Sequence, residues 1–272
     1  MLNFFDSHTH SDNSPDGQHS ITFMCEKAVE KGLMGIAVTD HCEIDTYEED
    51  GSPMRMLQSV FEVRKAQLAF GGRLMLTAGI ELGQPLASPE TARQALQMQN
   101  YDFVLGSVHR TRADLTDYYW KDYHSYTEAD VKKELDVYFN EVLETVRWGQ
   151  FDVLAHLTYP LRYMEGRDGA PCSLEPHREI MDEILRALAR SGKGLELNVS
   201  SLYGEYGRTC PTRETIQRFR ELGGEIVTIG SDSHRADRIG QGIAEGMEIL
   251  SACGFEYFAF YKRRAPRMLR IQ

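Results

Sequence analysis

No stretch of this 272-residue chain approaches the ~18 apolar residues that a membrane span requires. Its start lacks the basic segment and apolar run of a secretory signal. Cations are outnumbered, with 30 Lys and Arg against 41 Asp and Glu and a net charge of −11. A broad nucleic-acid surface needs clustered Lys and Arg, so no such partner is expected. A small phosphorylated substrate stays compatible, because bound cations reverse the field locally. Cysteine is sparse: five residues, odd in number, scattered and without CxxC spacing. They read as free thiols of a reducing compartment rather than a disulfide frame, and the expected location is cytoplasmic. Cys42, directly after His41, reads as buried packing rather than as a ligand. Linkers rich in Pro, Ser or Gly, internal repeats and low-complexity tracts are also missing, so residues 1–272 are expected to form one domain.

What is present is an alternation. Short apolar runs rich in β-branched residues ("LNFFDSH", "GIAVTDH", "LMLTAGIEL", "DFVLGSVH", "FDVLAHL", "GLELNVS", "EIVTIGSDSH") are separated by segments of helical period. The helical segments include "ITFMCEKAVEKG", "MRMLQSVFEVRKAQLAFG", "EADVKKELDVYFNEVLETVRWG", "EPHREIMDEILRALARSG" and "TRETIQRFRELGG". Strand then helix, repeated about seven times, predicts parallel strands joined by right-handed crossovers. Residues 166–176 are expected to form a surface loop, and "FEYFAFYKRR" a terminal strand with a basic end. Oligomeric state is not readable, because an exposed apolar stripe cannot be told from a core-facing one.

The unusual residues fall at strand ends. The first strand ends in His8 and His10, which share a face because strand side chains alternate. Asp40 and His41 end the second, Glu81 the third, His109 the fourth and His156 the fifth, while Asp232 and His234 end the seventh. The sixth offers Asn198 and Ser200. In a parallel barrel the C-terminal strand ends converge on one face, so these scattered residues are expected to meet. Of the other histidines, His19 reads as structural, His177 as solvent-facing and His124 as part of a loop near the site. Imidazole with carboxylate suits Zn²⁺, Mn²⁺ or Fe²⁺ better than Ca²⁺. Nine candidate ligands (His8, His10, Asp16, His41, Glu81, His109, His156, Asp232, His234) exceed what one ion uses, which points to two or three. Such clusters activate water and clamp a displacement at phosphorus.

The ordered set "HTHS" with Asp16 after it, "TDH", "GIE", "GSVH", "AHL" and "GSDSH" resembles the motifs of the polymerase-and-histidinol-phosphatase (PHP) superfamily, from residue 6 to residue 234. Within it, the chain length, the "GSVH" form and "FAFYKRRAP" are most similar to the monofunctional histidinol-phosphatase branch. The resemblance implies a distorted seven-stranded (β/α)7 TIM-like barrel with a trinuclear metal centre. Carried over position by position, it places His8, His10, Glu81 and Asp232 on one ion, with Glu81 shared to a second that also takes His109 and His156. Asp16, His41 and His234 would hold the third, and Asp40 and Asp6 would orient imidazoles. Arg162, shortly after His156, corresponds to a phosphate-holding cation, and Asn198 belongs to the substrate region. Where relatives carry a glycine closely followed by a basic residue, this chain has Ser201, Leu202 and Tyr203, and Arg208 is the candidate replacement.

The implied reaction is hydrolysis of L-histidinol phosphate to L-histidinol and phosphate. In it Glu81 bridges ions, Arg162 stabilises charge on the phosphoryl group, and Asp16 or water protonates the leaving oxygen. Glu43 and Glu48 are candidates to meet the substrate's ammonium. Two alternatives remain at this level: a phosphoesterase for a nucleotide or other small phosphoester, and a non-catalytic metal sensor or store.

Overall fold

Strands buried along almost their whole length alternate with helices in the computed structural model, which describes residues 3–271. In chain order the elements are β1 (Phe5–Thr9), α1 (Ile21–Glu30), β2 (Gly35–Val38), β3 (His41–Glu43), α2 (Ser52–Ala69) and β4 (Met75–Gly83). There follow α3 (Pro89–Gln97), β5 (Phe103–Ser107), α4 (Glu128–Trp148), β6 (Val153–Leu154), α5 (Arg178–Arg190) and β7 (Gly194–Asn198). The chain ends with α6 (Arg213–Glu221), β8 (Val227–Gly230), α7 (Ile243–Ala252), β9 (Tyr257–Lys262) and β10 (Ala265–Arg270). Seven parallel strands run in the order β1-β2-β4-β5-β6-β7-β8, as sequential βα units dictate.

The seam closes only at the upper rim. Asp232 N donates to His8 O at 2.8 Å, and His10 N donates to Ser233 O at 2.9 Å. Asp6 reinforces the seam: it accepts from Ser231 N at 2.9 Å, Ser231 Oγ at 2.5 Å and Gly240 N at 2.9 Å. The expected orienting role of Asp6 toward an imidazole is therefore replaced by a tie between the first and last strands. The barrel is distorted as well as nearly closed. Pairing of β1 with β2 shifts register between Asp6 and Thr9, β6 is two residues long, and β3 extends the second strand to pair with β4, His41 opposite Glu81.

Local signals explain most helix ends. Thr127 and Asp130 form a capping box at the start of α4, and Gly149 ends it in the left-handed conformation. Two helices, α3 and α7, were not among the helical segments read from the sequence; at nine and ten residues they give little periodic signal. The expected loop at 166–176 begins inside a wide turn, Arg162–Arg167, in which Asp168 N reaches back to Tyr163 O. The expected terminal strand is a hairpin, β9 with β10. It plugs the lower mouth, with Phe260 stacked on Phe5 at 4.6 Å and Tyr261 on Phe103 at 4.9 Å. Cys42 is fully buried in the core, as expected.

Close approach of strands fixes certain glycines. A Cβ on Gly35 would lie 2.5 Å from Met75 O and 2.6 Å from Phe5 Cε2. The backbone oxygen cannot yield, so Gly35→Ala should destabilise the fold by about 1–3 kcal/mol. Urea unfolding should show this as a lower midpoint at unchanged m-value.

Candidate metal centre

Glu81 sits near the end of β4 with no solvent access, and its two carboxylate oxygens face different sets of imidazoles. Oε2 lies 3.3 Å from His8 Nε2, 3.5 Å from His10 Nε2 and 2.8 Å from His41 Nδ1. Oε1 lies 2.8 Å from His156 Nε2 and 3.2 Å from His109 Nε2. Asp232 completes the first set, with Oδ1 at 3.6 Å from His8 Nε2 and 3.3 Å from His10 Nε2. At the outer edge, Asp16 Oδ2 is 3.1 Å from His234 Nε2 and 3.7 Å from His41 Nε2. All nine candidate ligands thus line one continuous cluster at the strand ends. Atoms close enough to share an ion group as His8, His10 and Asp232; as His41, Glu81 and His109; and as His10, His41 and His234. This grouping links His10 and His41 to neighbours more broadly than the three-ion partition implied by resemblance, with His10 reaching the outer group and His41 the second.

The ring nitrogens are oriented from behind. His8 Nδ1 donates to Glu196 Oε1 at 2.6 Å, and His109 Nδ1 donates to Glu43 Oε1 at 3.0 Å. His234 Nδ1 donates to the Asp232 carbonyl at 3.1 Å. For His10 the partner is Ser14 Oγ at 3.2 Å, whose own hydroxyl donates to Asp40 at 3.0 Å. Asp40 therefore acts on an imidazole through Ser14, while also accepting from Ser11 and Ser59. With Nδ1–H committed outward, each of these rings in its neutral form presents an Nε2 lone pair to the cluster. His156 has a buried Nδ1 that makes no hydrogen bond, and so does His41, whose Nδ1 faces Glu81 rather than outward.

Charges in this enclosure decide one another. Burial pushes the His8 imidazole down, but Glu196, Glu81 and Asp232 outweigh it and hold its pKa well above the ordinary value. His41 and His109 are likewise raised against burial, His41 by Glu81 and Glu43, His109 by Glu43 and Glu81. His10 is depressed by burial and by the neighbouring His234 and His41. Glu81 resists burial because His8, His109 and His41 surround it, and its pKa falls well below the carboxylate range. Asp232 falls likewise, through His8, His10 and Arg162. His8 Nε2, His10 Nε2 and Glu81 Oε2 are buried yet make no hydrogen bond. Buried polar atoms normally have partners. Convergent imidazole nitrogens around ionised carboxylates fit divalent cations of the zinc, manganese or iron type.

Other expected positions divide. Arg162 reaches the cluster, its guanidinium 3.3 Å from Asp232 Oδ2 and 3.2 Å from Asn198 Oδ1. Asn198 is fully buried and fully engaged, donating to Glu196 and Asp232 and accepting from Arg162 and Ser200. It braces the site instead of offering a free group to substrate. Arg208 turns away: it pairs with Glu165 at 3.0 Å and lines a separate cavity of about 1250 Å³ beside α5 and α6. Glu43 is spent orienting His109, and Glu48 is an exposed surface residue, so neither stands as described where an ammonium would meet the cluster. His177, expected in solvent, is buried, with Nε2 3.2 Å from Asp136. His124 is exposed and paired with Asp122, and His19 accepts from Ala236 N, a structural role.

Glu196 was missed by the sequence reading. Its signal was present: a carboxylate inside the apolar strand β7, two residues before Asn198 and on the same face.

Comparison with known proteins gives a consistent picture. A probable histidinol-phosphatase from Thermotoga maritima is 30% identical over 255 residues, 93% of this chain and 94% of that one. A histidinol-phosphatase from Lactococcus lactis is 28% identical over 258 residues, 94% of this chain and 93% of that one. A solved structure of histidinol phosphate phosphatase from Lactococcus lactis, complexed with zinc, L-histidinol and phosphate, matches the fold with a TM-score of 0.80 at 24% identity, covering 98% of this chain and 100% of that one. The PHP domain family model matches residues 6–200, well over half of the sequence, and this chain belongs to the PHP domain family.

Proposed function

We propose that this chain is a metal-dependent phosphomonoesterase that hydrolyses L-histidinol phosphate to L-histidinol and phosphate. The observation that carries the reading is the cluster itself, in which side chains from six of the seven barrel strands, or the turns that follow them, surround Glu81 with unpartnered nitrogens aimed inward. End-to-end similarity to histidinol-phosphatases supports the substrate. His8, His10, Glu81 and Asp232 would hold one divalent ion, Glu81 with His109 and His156 a second, and Asp16, His41 and His234 a third. Ions held there supply Lewis acidity, neutralising phosphoryl oxygens and lowering the pKa of water toward neutrality.

The chain's own residues do the rest. Arg162, anchored by Asp232 and Asn198, stands at the cluster edge with donors to spare for a phosphoryl oxygen, where charge builds as the bond to the leaving group breaks. Glu81 holds two groups of imidazoles in fixed relation. Asp16 is held ionised: burial would raise its pKa, but the His234 hydrogen bond and the charge of His41 bring it below the usual range. An ionised Asp16 has no proton to give, so it acts as a ligand and the leaving oxygen takes its proton from water.

Three outcomes test this. Glu196→Gln removes the charge behind His8 and should weaken metal affinity about 10–100-fold, read by metal titration of the stripped protein. Before loading, the raised imidazoles of His8, His41 and His109 carry protons near neutrality, and cations must displace them. Metal affinity should therefore keep rising with pH through neutrality and beyond the range in which unperturbed imidazole titrates. Calorimetry at neutral pH in buffers of different ionisation enthalpy should register proton release, and zero release would contradict protonated His8, His41 and His109 in the metal-free chain. Finally, chelation should abolish phosphate release, and Mn²⁺ or Zn²⁺ should restore it. Among histidinol phosphate, a nucleoside monophosphate and a phosphodiester, the first should have the highest kcat/KM, and a better nucleotide would replace the substrate assignment.

A further inference from the structure

Helix α2 has two apolar faces, and the barrel uses one. Met56, Val60, Val63 and Ala66 are buried toward the core. Met54, Leu57, Phe61 and Leu68 are 69%, 45%, 57% and 88% exposed. Their spacing of three, four and seven residues puts them on a single stripe of the 18-residue helix. Single exposed hydrophobes need no explanation. A stripe of this kind does, since together they present on the order of 400 Å² of apolar surface, the scale at which contiguous patches mark an interface.

We propose that α2 is the contact face of a homodimer, packed antiparallel on α2 of a second copy about a two-fold axis through Phe61. The stripe is self-complementary in that arrangement. Met54 lies seven residues before Phe61 and Leu68 seven after it, so the axis sets Phe61 on Phe61 and Met54 of each copy on Leu68 of the other. Leu57 then meets the stem of Lys65 from the other copy. The ammonium of Lys65 already lies 5.6 Å from the Phe61 ring, which lays its methylenes along the stripe. Isologous pairing of one patch with itself is the commonest oligomer geometry. Pairing buries roughly 800 Å² from the four side chains, and the flanking Arg55, Gln58, Glu62 and Lys65 bring the total near the ~1,200 Å² of the smallest specific interfaces. The same axis sets no like charges directly opposite each other: Arg55 meets Gln67 of the other copy and Arg64 meets Gln58, although α2 as a whole carries Arg55, Arg64 and Lys65 against Glu62.

The test is sedimentation velocity of the metal-loaded protein at roughly 1 to 100 µM, the range in which a modest homodimer dissociates. The expected species at the upper end is about 62 kDa, twice the 31.0 kDa chain. Phe61→Glu places two carboxylates at the axis and should raise the dimer Kd at least ~100-fold, with metal content and circular dichroism unchanged. Phe61→Cys should give a chain-to-chain disulfide on mild oxidation, whereas Met54→Cys should do so only together with Leu68→Cys. A wild-type monomer at all concentrations overturns the proposal, whether or not the stripe then takes a different protein or a lipid vesicle. A dimer that survives Phe61→Glu unweakened overturns it equally.

Discussion

A carboxylate removed from water must be paired or it will not stay charged, and Glu81 meets that condition with five imidazoles. His8, His10, His41, His109 and His156 all lie within 3.5 Å of one or other of its oxygens. Those rings come from four places along the chain, so the position of one anion sets the relative position of β1, β3, β5 and β6. A further ring of groups (Glu196, Glu43, Ser14 with Asp40) fixes which nitrogen of each imidazole faces inward. Removing a member of that outer ring leaves the ligand in place but frees its rotation and its tautomer.

Backbone conformation around the cluster is correspondingly unusual. Asp232 has φ 51 and Gln84 has φ 46, left-handed values that side chains other than glycine rarely adopt. Such conformations cost about 1–3 kcal/mol each and persist where the surroundings over-determine them. At Asp232 the surroundings are visible: its N–H bonds to His8 O, while its carboxylate meets His8, His10 and Arg162. At Gln84, the side chain accepts from His109 N at 2.9 Å and donates to Glu43. Both strained residues hold a ligand in register.

Much of this was legible in the sequence because a parallel barrel translates linear position into spatial convergence. Strand runs ending in His, Asp or Glu needed no knowledge of contacts to be placed on one rim. What stayed hidden depended on side-chain direction. Asp6 and Asp40 sit beside ligands in sequence, yet one ties backbone across the seam and the other works through a serine. Asn198 looked available to substrate, but burial and four polar partners consume it. Arg208 looked like a replacement cation, and an ion pair with Glu165 draws it to a different cavity. His177 has polar neighbours in the sequence, yet packs against Phe139. Glu196 was overlooked because a carboxylate within an apolar strand carries no motif.

The barrel seam has an implication for how the molecule is made. His8 and His10 leave the ribosome more than two hundred residues before Asp232 and His234, and the rim closes only when the late segment bonds to β1. A nascent chain therefore carries His8 and His10 through nearly all of its synthesis without the Asp232 and His234 that complete their groups. Two of the three ligand groups, those with Asp232 and His234, can assemble only after the late segment has been made, whereas His41, Glu81 and His109 are all present by residue 109.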